Sequence, residues 1–196
     1  MRDILSRPTI YVLGLAYLLH GVAQVGMISW VGQLYQKRYG IDAARAAYLI
    51  SFDLIGFFVG RSLLSWITNR RRISELLLIA ICAGAASLAY VATIAAPSYG
   101  WGLVSFMMSG FFISADGPSI NSYVGSRFAD RTANAYVLMS GIGSVGSAAG
   151  AYLTALLGER FGLERGIWCM PGFSAALSAL AFVWMLSERR RQESSV

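Results

Sequence analysis

Charge is what this sequence has least of. Lys and Arg number 16 and Asp and Glu 10, so only 13% of 196 residues are charged, about half the share of a soluble domain. That scarcity excludes a disordered chain and an ordinary cytosolic enzyme. Cysteine is equally sparse. Cys82 and Cys169 both fall in apolar stretches, where a thiol acts as a small apolar side chain; a secreted disulfide scaffold and a metal site are excluded. There is one histidine, His20, and no H-E-x-x-H, P-loop or G-x-S-x-G motif. The sequence therefore predicts no enzyme, no catalytic residue, no metal and no cofactor.

Apolar residues make up 56% of the chain and the mean hydropathy is +0.57, more than one soluble core of this length can bury. The charges gather in islands separated by long apolar stretches. Each stretch covers the ~30 Å of a bilayer's hydrocarbon at ~1.5 Å per residue. The fold class is therefore all-α and polytopic, with six spans at about 9–35, 43–68, 74–96, 101–125, 133–158 and 166–187. Short connections make consecutive spans antiparallel neighbours, and the alternation of a barrel strand is absent. The first span is too long for a cleavable signal and holds Gln24 and Gln33.

Basic residues set the orientation. Arg2, Arg7, Arg70 to Arg72, Arg127, Arg131 and Arg189 to Arg191 lie on one side; Lys37, Arg38, Arg45, Arg160 and Arg165 lie on the other. The positive-inside rule puts the richer side in the cytoplasm. It predicts a multi-pass protein of the cell (inner) membrane, with a cytoplasmic segment at 1–8 and a cytoplasmic tail at 188–196. The net charge of +6 is then a topology signal. Arg residues dispersed over loops without interleaved aromatics give no nucleic-acid surface.

An internal echo runs through the second and fifth spans. Gly56, Gly60, Leu63 and Arg70 recur as Gly146, Gly150, Leu153 and Arg160, at an offset of 90 residues. Paired glycines let two helices approach closely, and the echo fits two inverted three-helix repeats. Chance similarity of two glycine-rich helices is the competing reading.

Polar groups within spans need a partner, water or a function. Tyr17, His20 and Gln24 share one face of the first span, with His20 a proton-responsive or hydrogen-bonding candidate. Asp53 and Arg61 lie two turns apart on the second. Asp53, on an otherwise apolar helix, is the better proton-coupling candidate, with a structural hydrogen bond to a neighbouring helix as the other reading. Arg61 braces the inner helix ends or snorkels, with a direct solute contact as the other reading. In the fourth span, Asp116 precedes Gly117 and Pro118, where the helix should kink, and Asn121 follows. An Asp116–Arg61 pair is the economical expectation, with a ligand or proton role for Asp116 beside it. Ser140, Ser144, Ser147 and Thr154 form a stripe on the fifth span that bonds helix to helix or faces solute. Trp30, Tyr35, Tyr39, Tyr48, Tyr99 and Trp101 lie near outer span ends as interface aromatics, Trp30 also being placed to cap a cavity.

The stretch Gly60-Arg61-Ser-Leu-Leu-Ser65-Trp-Ile-Thr-Asn69-Arg70-Arg-Arg72 resembles the Arg-rich signature loop between the second and third helices of a six-helix half in the major facilitator superfamily. Gly21-Val-Ala-Gln24 with Trp30 is similar to the seventh helix of fucose-permease-like members. The Gly/Pro break and the Gly-rich fifth span are similar to their tenth and eleventh helices. Ser65 and Asn69 replace the family's Gly and Asp, which weakens the charge relay of the cytoplasmic gate. The resemblance covers nearly the whole chain as a C-terminal half. It implies alternating-access transport of a small organic solute, often proton-driven, by two six-helix halves rocking about a central cavity. It puts His20, Gln24, Trp30 and Asn121 at that cavity with Asp53 and Asp116, and Arg61, Asn69, Arg70 and Arg72 near the gate.

One half presents a polar face that lipid would not solvate. The chain is therefore expected to pair with a facing half, either an identical copy about a two-fold axis or a separately encoded six-helix half. A truncated or split half without its own transport activity, and an unrelated six-helix membrane protein, are the alternatives.

Overall fold

A computed structural model describes residues 6–71 and 73–193. Among these residues eight α-helices carry the fold: α1 (Pro8–Tyr39), α2 (Ala43–Arg71), α3 (Glu75–Ile94), α4 (Tyr99–Ile113), α5 (Asp116–Arg127), α6 (Thr132–Phe161), α7 (Leu163–Ile167) and α8 (Cys169–Glu193). Among the described residues there is no strand. Six helical stretches are long and apolar enough to cross a membrane; α4 with α5 makes the fourth and α7 with α8 the sixth.

The helix ends follow local chemistry. Pro8 opens α1, where its missing N–H would have had no partner anyway. Gly40 ends it at φ 62° with its N–H on the Gln36 carbonyl, a left-handed conformation that glycine adopts without strain. Ser74 and Ser98 cap α3 and α4 by accepting from the amides of Leu77 and Trp101.

The break in the fourth span lies at Ser114 and Ala115, just ahead of the predicted Gly117–Pro118 kink. A proline ring crowds the carbonyl four residues back, here that of Ser114. α5 therefore restarts with Pro118 in its first turn, where no N–H is missed. In the sixth span a second break, at Trp168, separates α7 from α8.

The main packing pairs are α1 with α6, α2 with α4, and α3 with α8. The first two are the same crossing made twice. A Cβ at Gly56 or Gly60 would run into the backbone carbonyl of Met107 or Phe111 on α4, and one at Gly146 or Gly150 into that of Leu18 or Val22 on α1. Only glycine allows backbones this close. The echo extends to the facing helices, because Met107 and Phe111 follow Leu18 and Val22 by 89 residues. The next contact repeats too: Gly21 abuts the Gly143 carbonyl, and Gly110 abuts that of Asp53. From Ser51 to Gly60 and from Gly141 to Gly150 the order of buried, half-buried and exposed positions is identical.

Side chains tie the bundle at both ends. Tyr35 donates to the Thr93 carbonyl at 2.6 Å and Tyr39 to that of Ala96 at 2.5 Å, while Arg38 bridges the Ile94 carbonyl and Glu164. At the end bearing both termini, Arg127 pairs with Glu188, which also accepts from Tyr123 at 2.6 Å. Tyr35, expected among the interface aromatics, is fully buried. Its hydroxyl satisfies a helix-end carbonyl that hydrocarbon would leave unpaired.

Candidate functional site

The break between α4 and α5 puts Asp116 at the first residue of a helix, where the amide dipoles favour a negative charge. Its side chain has no solvent exposure. The expected Asp116–Arg61 pair is absent. The side chain instead faces α1, where His20 Nδ1 lies 3.6 Å from Asp116 Oδ2. Arg61 stacks instead on the Phe57 ring, 4.8 Å from its centroid. Neither oxygen of Asp116, nor Nδ1 of His20, makes a hydrogen bond. Buried polar atoms left so are uncommon and costly.

His20 also borders a recess of about 440 Å³ between α1 and α6, lined by Tyr17, Gln24, Ser140, Ser144 and Ser147 over Gly21 and Gly143. The serines of the stripe open onto it, and Ser144 turns its proton back to the Ser140 carbonyl at 2.9 Å. Thr154, at the far end of the stripe, is buried and bonded within its own helix to the Gly150 carbonyl. The Tyr17 ring meets His20 edge-on at 6.2 Å, and its hydroxyl accepts from Asn121 Nδ2 at 3.3 Å. Tyr136 donates to the Asn121 carbonyl at 3.1 Å. Polar side chains thus link the first and fourth spans, from Asp116 through His20 and Tyr17 back to Asn121, and Tyr136 adds the fifth. It can bind a polar solute on the recess side and hold or pass a proton at Asp116 and His20.

The other predicted residues lie elsewhere. Asp53 is buried on α2 against Gly110, where Oδ1 accepts from Ser109 Oγ at 3.4 Å. Trp30 does not border the His20 recess; its Nε1 donates to the Ala151 carbonyl at 2.9 Å. Gly117 has no neighbour within contact of a Cβ. Arg70 lies over the Trp66 ring at 4.8 Å. Arg72 and the side chain of Asn69 lie outside the described residues. Sequence reading passed over Tyr136 and Ser109, since each meets its partner only through a helix crossing, and no local spacing marks it. Among the described residues no cluster of His, Cys, Asp and Glu could hold a metal ion.

Residues 13–196 match the family profile of the Major Facilitator Superfamily. The chain belongs to the Major Facilitator Superfamily. No curated protein matches it. Two solved structures are similar in fold. One is FucP, a transporter of this superfamily in the outward conformation, with TM-score 0.80 and 18% identity over 93% of this chain and 45% of FucP. The other is tetrameric PepTSo2, with TM-score 0.70 and 14% identity over 89% of this chain and 38% of the other. At these identities the likeness is one of fold. The chain spans less than half the length of either. Family and fold are those of non-enzymatic membrane transporters.

Proposed function

We propose that the chain forms one wall of a proton-coupled, alternating-access carrier for a small organic solute, with the recess beside His20 as its part of the solute site. The single observation behind this is the unpartnered Asp116 carboxylate next to His20, at the edge of a polar recess in an otherwise apolar bundle. A lone buried carboxylate needs a counter-charge, and a proton arriving at His20 or Asp116 supplies neutrality. A state open to one side of the membrane would load the proton and the other state release it. His20, Gln24, Ser144 and Ser147 would then contact solute, with Tyr17 and Asn121 holding His20 in place.

The crossing made twice supports a pair of inverted three-helix repeats. Helices pinned this closely at Gly56, Gly60, Gly146 and Gly150 favour rocking of the bundle as one body. Its counterpart would be a facing six-helix unit: a second copy, a separate polypeptide or the remainder of a longer chain. Both termini lie on the cytoplasmic side in this reading, from the excess of arginine at that end. Of the two buried carboxyls, Asp116 takes the coupling role because it lies 3.6 Å from His20, which lines the recess. Asp53, held by Ser109 and sealed behind Gly110, positions α4.

The test is uptake by proteoliposomes holding the full chain, scanned over sugars, organic anions and organic cations with and without an imposed pH gradient. Acceleration by the gradient, lost in Asp116→Asn, supports the reading. Uptake with no response to the gradient removes proton coupling. A full scan without uptake, in vesicles where two copies are shown to be present, removes the self-sufficient carrier.

A further inference from the structure

A second recess, of about 540 Å³, lies between α2, α3 and the α4–α5 break, at the end of the bundle that bears the termini. It shares no lining residue with the His20 recess. Its origin is visible in the repeated crossing. Beyond Gly150 the α1–α6 pair is closed by Trp30, whose ring packs into the neighbouring core and whose Nε1 is bonded to the Ala151 carbonyl. Offsets of 89 and 90 residues carry Trp30 to Ser119 and Ala151 to Arg61, and both of these line the second recess. An indole on one side is thus replaced by a hydroxymethyl on the other, and a small residue by a cation. The space the indole fills in one copy is left open in the other.

The lining states what would enter. Arg61 is exposed on its helix, its guanidinium stacks on the Phe57 ring, and among the described residues it has no acidic partner. Ser119 is 6% exposed as a residue and lines the recess, and its hydroxyl makes no hydrogen bond among the described residues. Leu64, Ile73, Leu78 and Pro118 supply an apolar floor. Guanidinium groups bind carboxylate and phosphate oxygens in pairs, and basic pockets between membrane helices hold anionic heads. Glu75 stands at the same recess with its Oε1 accepting from Ser122 at 3.0 Å. Its charge opposes a doubly charged head and leaves a singly charged one tolerable.

The geometry points to a binding site for a singly charged anionic amphiphile, its phosphodiester or carboxylate head on Arg61 and Ser119 and its apolar tail along Leu64, Ile73 and Leu78. Two sources share this chemistry, an acidic phospholipid and a soluble long-chain carboxylate. The site is independent of the transport reading, since it uses none of the residues assigned there.

Purified full chain in an uncharged detergent is titrated with phosphatidylglycerol, with decanoate and with phosphatidylcholine. Bound adducts are counted by native mass spectrometry and stability is followed by thermal unfolding. Phosphatidylglycerol or decanoate should bind and raise the unfolding midpoint, and whichever does so identifies the source. Arg61→Gln should weaken that binding roughly tenfold, the loss of one charge-assisted pair. Ser119→Trp, which plugs the recess as Trp30 plugs its counterpart, should remove it. Arg61 is exposed, so its variant is expected to fold and reports even if Ser119→Trp does not. The site is overturned if neither anion binds, if phosphatidylcholine binds as tightly, or if Arg61→Gln binds as the unaltered chain does.

Discussion

His20 Nδ1 lies 3.6 Å from Asp116 Oδ2 across the break between α4 and α5, and neither atom has a hydrogen bond. The two atoms are too far apart for a hydrogen bond, and the carboxylate has no solvent exposure. The functional predictions start from this pair.

Asp116→Asn should abolish acceleration of solute uptake by a pH gradient while leaving slow, gradient-independent uptake. The amide keeps the shape and cannot be charged. Asp53→Asn should keep the acceleration. Proteoliposome uptake with the two variants side by side decides between the carboxyls; the reverse pattern would move the coupling role to Asp53.

The doubled crossing predicts doubled sensitivity. Gly56→Leu and Gly146→Leu each push a side chain into the facing helix backbone. Each should cost about 1–3 kcal/mol, the range for overpacking a tight contact, and by similar amounts because the contacts are equivalent. Gly117→Ala meets no neighbour and should stay within about 0.5 kcal/mol of the unaltered chain. Thermal or denaturant unfolding in detergent measures all three.

Trp30→Phe keeps an aromatic ring, smaller than the indole, and removes the donor to the Ala151 carbonyl. The loss should be about 0.5–1.5 kcal/mol, that of one hydrogen bond, read from the same unfolding curves. A cost indistinguishable from zero would mean that the ring alone closes the α1–α6 pair.

α2 and α6 are the least buried spans, and large apolar side chains such as Phe58 (74% exposed) and Val145 (63%) stand out from them. If the facing wall is a second copy, cysteines placed at Phe58 and Val145 should yield a disulfide-linked two-copy species in native membranes. Only single-copy protein under oxidation that links a positive control would rule out pairing of two copies through these faces.

Much of this was legible before any coordinates. Six apolar stretches separated by charge islands dictate six membrane helices, because hydrocarbon cannot satisfy an unpaired backbone. The glycine echo between Gly56 and Gly146 also read directly. Its partner echo from Leu18 to Met107 did not, since those residues share no distinctive chemistry and are matched only by what they touch. Asp116 was recognisable as an anomaly of depth, yet its partner was expected to be Arg61. Depth along a span says how high a charge sits and nothing about which way its helix is turned.

The sequence by itself determined the class of molecule, the number of crossings and the list of polar side chains that membrane burial makes expensive. Tertiary structure alone decided which of them meet. His20 found Asp116, Trp30 found Ala151, and Arg61 was left facing an open recess. The physical reason is that backbone hydrogen bonding and hydrophobic length act along one helix and are written locally. The rotation of each helix about its axis, by contrast, is set by glycine contacts with another helix, such as Gly56 with Met107 and Gly146 with Leu18, far apart in the chain.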